Sequence, residues 1–169
     1  MLWSAGYALA SVNDRIDGRS VPRNTDQRHT LTADWGYRSP SNKWRLSIAG
    51  VWHSGWPYTP DVVSIDTLAD TPNQFVIASD RTPGELNSAR LPTYRRIDAR
   101  WTRFITAGSS RVALFLEAYN LFDLTNTRGY DSGIRVDRNR TVQVTREDVS
   151  WIPRFPTFGI TWEFGSGAR

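Results

Sequence analysis

The chain has no cysteine, one lysine (Lys43), one methionine and two histidines. Without cysteine there is no disulfide framework and no thiolate metal site. His29 and His53 lack the spaced histidine or carboxylate partners that a metal site needs, so no metal or cofactor is expected. Long apolar runs are missing too. No segment approaches the roughly 20 residues that a membrane helix requires. That excludes a helical span but leaves a β-barrel open, because barrel strands alternate and carry a weak hydropathy signal. The opening Met1-Leu-Trp-Ser-Ala-Gly6 has neither the basic flank nor the apolar core of a signal peptide. Any export signal is therefore expected elsewhere.

What is present is polar and aromatic. A chain of 169 residues is long enough for one domain, yet its apolar share, 39%, is below the usual globular value. Tryptophan, by contrast, occurs eight times. The formal charge is +4, and apart from Lys43 the basic residues are all arginine. Arg90, Arg95, Arg96, Arg100 and Arg103 lie close together, a pattern that raises nucleic acid as a partner. Interspersed acidic residues and the lack of any nucleic-acid motif argue against it, and none is expected.

Period-two alternation locates the strands. Leu2 to Val12 reads as a strand with loose alternation, and polar Asn13 to Asp26 as a loop. In His29 to Ser39, Leu31, Ala33, Trp35 and Tyr37 share one face. Ser39 to Asn42 has turn composition, and Lys43 to Trp56 returns with Trp44, Leu46, Ile48 and Trp52 on one side. Trp56 to Pro92, with five prolines, reads as long and irregular. Thr93 to Ile105 sets Ile97, Ala99 and Trp101 opposite Asp98, Arg100 and Thr102. After a turn at Thr106 to Ser110, Arg111 to Phe122 sets Val112, Leu114 and Leu116 opposite Ala113, Phe115 and Glu117. Asp123 to Arg154 is polar, with a hairpin expected between Arg128–Val136 and Thr141–Val149. Thr157 to Phe164 is the last strand, with Phe158, Ile160, Trp162 and Phe164 on one face.

These connections alternate long and short. Transmembrane barrels have short turns on one side and long loops on the other, with aromatic girdles at both interfaces. Tyr37, Trp44, Trp162 and Phe164 fall at the short-turn end, and Trp52 and Trp56 toward the other. The expected fold is all-β: an antiparallel, up-and-down transmembrane β-barrel segment of about six spanning strands plus an extracellular hairpin, incomplete as a barrel. The alternative is a soluble all-β binding module, such as a glycan-binding domain, whose tryptophans fill a core.

Five stretches carry a resemblance. They are Pro22-Arg-Asn-Thr-Asp-Gln-Arg-His-Thr30, Gly55-Trp-Pro-Tyr-Thr-Pro60, Arg90-Leu-Pro-Thr-Tyr-Arg-Arg-Ile-Asp-Ala-Arg100, Leu116-Glu-Ala-Tyr-Asn-Leu-Phe-Asp123 and Phe155-Pro-Thr-Phe-Gly-Ile-Thr-Trp-Glu-Phe164. In this order they resemble the C-terminal barrel region of TonB-dependent outer-membrane receptors, in particular the OmpA-related, Oar-like branch. The resemblance implies a barrel of about 22 strands filled by an N-terminal plug. It implies uptake of a scarce solute, such as a siderophore or carbohydrate, powered through TonB. The implied partners are outer-membrane lipid, the rest of the barrel with its plug, TonB, and the barrel-insertion machinery. The implied location is the outer membrane of a Gram-negative-type cell. Residues 1–164 would be barrel and 165–169 a tail beyond the usual terminal aromatic. Thr157, Gly159, Trp162 and Phe164 match the family's C-terminal insertion signal.

No catalytic constellation is legible, and an enzyme is not expected. Asp34, Asp98 and Glu117 fall on polar strand faces, where ion pairs with Arg45 and Arg100 are expected across neighbouring strands. These five residues are candidates for contact with a solute or plug. Trp56 and Tyr58, beside prolines at the start of the longest loop, suit stacking on a sugar or flat siderophore, or packing of the loop on itself.

Overall fold

The computed structural model describes residues 1–72 and 74–164; the tail expected at 165–169 lies outside the described residues. Every regular element among them is a β-strand. In chain order these are β1 Leu2–Leu9, β2 Asn13–Ile16, β3 Arg19–Pro22, β4 His29–Arg38, β5 Trp44–His53, β6 Pro57–Tyr58 and β7 Asp61–Thr71. Then come β8 Gln74–Pro83, β9 Ala89–Arg90, β10 Tyr94–Ala107, β11 Ser110–Tyr119, β12 Thr127–Val136, β13 Val142–Ser150 and β14 Phe155–Glu163.

One six-stranded antiparallel sheet, in the order β1-β4-β5-β10-β11-β14, organises the molecule. Its order is the order of the chain, so it is an up-and-down meander. The outer edges of β1 and β14 pair with no other described strand, and the sheet is open. The short connections, 39–43 and 108–109, leave one end of the sheet; the long ones, 10–28, 54–93 and 120–154, leave the other.

Register sorts side chains into two faces. Trp3, Trp35, Ile48 and Ala99 lie side by side across four strands, as do Tyr37, Leu46, Trp101, Leu116 and Phe158 across five. This face is apolar and open to solvent: Leu116 is 56% and Phe158 87% exposed. The other face carries Asp34, Asp98, Arg100, Glu117 and Thr157.

Burial is inverted relative to a water-soluble domain. Among the described residues only Leu91, at 8%, and Pro57 are buried apolar side chains. The buried polar side chains are Asp26, Ser39, His53, Thr102, Asn120 and Asn126. The accessible surface is 12255 Å². A compact monomer of 19.2 kDa would expose roughly 8,400 Å². The all-β, antiparallel expectation therefore holds, and the apolar stripes do not meet in a core.

Two stretches read as loops are hairpins. Residues 13–26 contain β2 and β3 around Asp17-Gly18, both at positive φ, as the right-handed strand twist favours in a two-residue turn. Residues 56–92 contain the long β7–β8 hairpin. Its prolines punctuate it: Pro60 precedes β7, Pro72 sits in the turn and Pro83 ends β8. A register shift between Thr67 and Ala69 breaks the alternation that would have revealed it. The hairpin expected within 123–153 is present as β12–β13. It meets the β7–β8 hairpin through Arg81–Asp131 at 3.6 Å and Arg140–Asp70 at 2.5 Å.

Candidate functional site

The polar face of the sheet gathers four of the expected site residues. Asp34, Asp98, Arg100 and Glu117 line an open depression of about 400 Å³, with Ser4 and Ser47 beside them. Register explains the grouping. Asp34 and Asp98 both stand beside Ala49 on β5, from opposite sides, while Arg100 faces Ser47 and Glu117. Arg100 pairs with Glu117 at 3.3 Å and stacks over the Phe115 ring at 3.9 Å.

The remaining ion pairing differs from expectation. Asp98 pairs with Arg96 of its own strand at 3.0 Å, and Asp34 accepts a hydrogen bond from the Ser4 hydroxyl at 3.3 Å. Arg45 pairs with neither. It stands opposite Arg38 and Thr102, two same-face steps from Asp34, which is roughly 13 Å along a strand. Sequence periodicity gave the correct face for Arg45 but not its distance from Asp34.

Trp56 and Tyr58 lie off the sheet at its long-loop end. Trp56 packs against His53 at 4.6 Å and Trp151 at 6.3 Å between ring centroids; Tyr58 packs against Tyr130 at 5.2 Å. Both are thus engaged within the chain and are not gathered with the four charged residues of the depression.

A second group on the polar face was not singled out from sequence. Arg96 donates to the Tyr94 hydroxyl at 2.9 Å and to the Tyr119 hydroxyl, and its guanidinium lies 4.0 Å from the Tyr119 ring centroid. His53 stacks on Tyr94 at 4.7 Å and is buried. Extending the alternation back from Asp98 through Arg96 to Tyr94 puts all three on one face, so that signal was available.

Buried polar groups lock the rim above this face. Asp26, 0% exposed, accepts from the Val12 amide at 2.8 Å and pairs with Arg90. Arg90 also donates to the carbonyls of Asp26 and Gly55, at 3.0 and 3.1 Å. The Arg90 hydrogen bond, helped by the Val12 amide, holds the Asp26 carboxyl below its ordinary pKa. Asn120, also 0% exposed, exchanges two hydrogen bonds with the Leu124 backbone, and its own amide donates to Asp98 at 2.9 Å. Asn126 pairs with both backbone groups of Arg95, at 2.8 and 2.9 Å. Asp26, Gly55, Arg90, Asp98 and Asn120 come from four of the five stretches that carried the resemblance. Far apart in sequence, they converge on one rim.

The insertion-signal residues lie on the edge strand. Thr157 faces Glu117 and Gly159 faces Phe115, on the polar side; Trp162 faces Val112 on the apolar side and stacks on Phe164 at 4.6 Å. Scans against protein-family models, curated proteins and solved structures find no match to this chain.

Proposed function

We propose that this chain is one arc of an outer-membrane β-barrel, belonging to a TonB-dependent receptor that takes up a scarce solute such as a siderophore or carbohydrate. The observation that carries the reading is the inverted burial: polar groups are buried, and a continuous apolar sheet face is exposed. In water such a face costs free energy on every apolar side chain; against hydrocarbon it costs nothing. The six strands have 8 to 14 residues, bracketing the length that a tilted spanning strand needs. Trp35, Tyr37 and Trp44 contact one another in sequence at the short-turn end, as a girdle at a lipid–water boundary would.

In this reading the apolar face meets lipid and the polar face lines the lumen. The free edges of β1 and β14 pair with strands of the remaining barrel, which satisfies their backbone groups. Plug and solute meet the depression lined by Asp34, Asp98, Arg100 and Glu117. The long loops lie outside the cell, TonB acts through the plug, and the insertion machinery reads the β14 edge.

The absence of native cysteine makes the test clean. Single cysteines replace Leu68, Arg138 or Asn42 in cells that carry the protein, and a membrane-impermeant maleimide is added. Labelling at 68 and 138 but not at 42 is expected. Labelling at 42 alone reverses the topology. A monodisperse, cooperatively unfolding monomer in detergent-free buffer would instead support the soluble binding module.

A further inference from the structure

We propose that the short-turn end of the polar face is an anion site, which takes a phosphoryl group of a water-borne solute. Three cationic side chains, Arg38, Lys43 and Arg111, line one pocket there, and a fourth, Arg45, stands beside Arg38 on the neighbouring strand. Arg38 and Arg45 are direct cross-strand partners. Lys43 and Arg111, with Arg38, line a pocket of about 360 Å³ together with Ser41, Phe104 and Thr106. Among the described residues none of these four cations makes an ion pair. Glu163 is in register with Arg111, yet among the described residues the two form no ion pair.

Like charges directly opposite on a sheet are destabilising, so the Arg38–Arg45 pair calls for a counter-anion. The site is built to hold one. Ser39 is buried, and its hydroxyl accepts from the amides of Lys43 and Trp44 at 3.1 and 3.2 Å, which fixes the turn that presents Lys43. Arg111 is braced against the Phe104 ring, 4.4 Å from its centroid. Phe104 in turn is tied to Lys43 by a backbone hydrogen bond of 2.8 Å.

The chemistry selects phosphoryl over carboxylate. A carboxylate carries one charge, whereas a phosphate dianion offers more oxygens and more charge to a set of guanidinium, ammonium and hydroxyl donors. The site lies on the polar face, opposite Trp44, Leu46 and Leu114.

Isothermal titration of the full chain in dodecyl maltoside micelles, with inorganic pyrophosphate as the probe, tests this. Saturable binding is expected, weakened about tenfold in Arg38→Gln and in Arg45→Gln and unchanged in Arg19→Gln on the distant β2–β3 hairpin. In phosphate-free buffer Arg45→Gln should melt at or above the wild-type temperature, because it removes a like-charge pair; a merely structural arginine would show the reverse. No saturable heat, equal heat from acetate at matched ionic strength, or equal weakening in Arg19→Gln overturns the proposal. If the chain proves soluble without detergent, the same titration runs in plain buffer. Failure of the barrel reading and failure of the anion site are then read separately.

Discussion

The outer end of the Phe115 ring covers Gly159 on the neighbouring strand. The two are direct partners in the β11–β14 ladder, and a Cβ at position 159 would come within 2.4 Å of the ring's Cζ. The Arg100 guanidinium lies over the same ring, 3.9 Å from its centroid. A single aromatic thus joins β14, the edge strand, to the charged centre of the polar face. Gly159→Ala should destabilise the β11–β14 pairing by about 1–3 kcal/mol through overpacking. In a Phe115→Ala background the same change should cost much less. A double-mutant cycle measured by urea unfolding in detergent checks this, and additive effects would break the link.

The apolar and polar faces should answer differently to charge. Leu114 and Ala113 are neighbours on β11 and point to opposite faces. In a bilayer Leu114→Arg should cost about 2–4 kcal/mol, and Ala113→Arg clearly less. Equal costs in matched lipid unfolding experiments would remove the assignment of the apolar face to lipid.

Asp26 and Arg90 tie three loop segments together. Removing the carboxylate by Asp26→Ala should cost about 3 kcal/mol, the low end for a broken buried pair, because Arg90 keeps partial access to water at 34%. Hydrogen exchange at the Val12 and Leu91 amides reports the loss locally. The pH dependence follows from the depressed Asp26 pKa. The folded form binds its proton less readily than the unfolded chain does. The contribution is therefore full above the ordinary aspartate value and is lost as the pH falls through the lower folded value. Protection of these amides should weaken in that acid window, and Asp26→Asn should abolish the pH dependence.

The β7–β8 and β12–β13 hairpins are joined by exposed charges, Arg81–Asp131 and Arg140–Asp70, with side-chain exposures between 37% and 72%. Exposed pairs of this kind contribute about 0–1 kcal/mol each and are screened by salt. Spin labels at Leu68 and Arg138 should show a broader distance distribution at about 1 M salt, where the Debye length is about 3 Å. Arg81→Ala with Arg140→Ala should give the same broadening at low salt. A distribution insensitive to both would mean that these ion pairs do not hold the hairpins together.

Sequence alone determined the six sheet strands, their order and the facing of their side chains. Alternation has a period of two whatever the tertiary context, so Leu31, Trp101 and Ile160 could be assigned to one face from spacing. It also placed Asp34, Asp98, Arg100 and Glu117 on the opposite face. It does not reveal β2–β3, because Asp17-Gly18 sits within a run of polar loop composition, nor β7–β8, because a bulge breaks the period. What only the tertiary structure decided is which residues meet across strands. Register is a property of pairs, set by turn geometry and bulges. It put Arg45 against Arg38 instead of Asp34, laid Phe115 over Gly159, and gathered Asp26, Gly55 and Arg90 into one knot. No single strand's pattern contains that information, since the interaction energies arise only when separate segments are brought side by side.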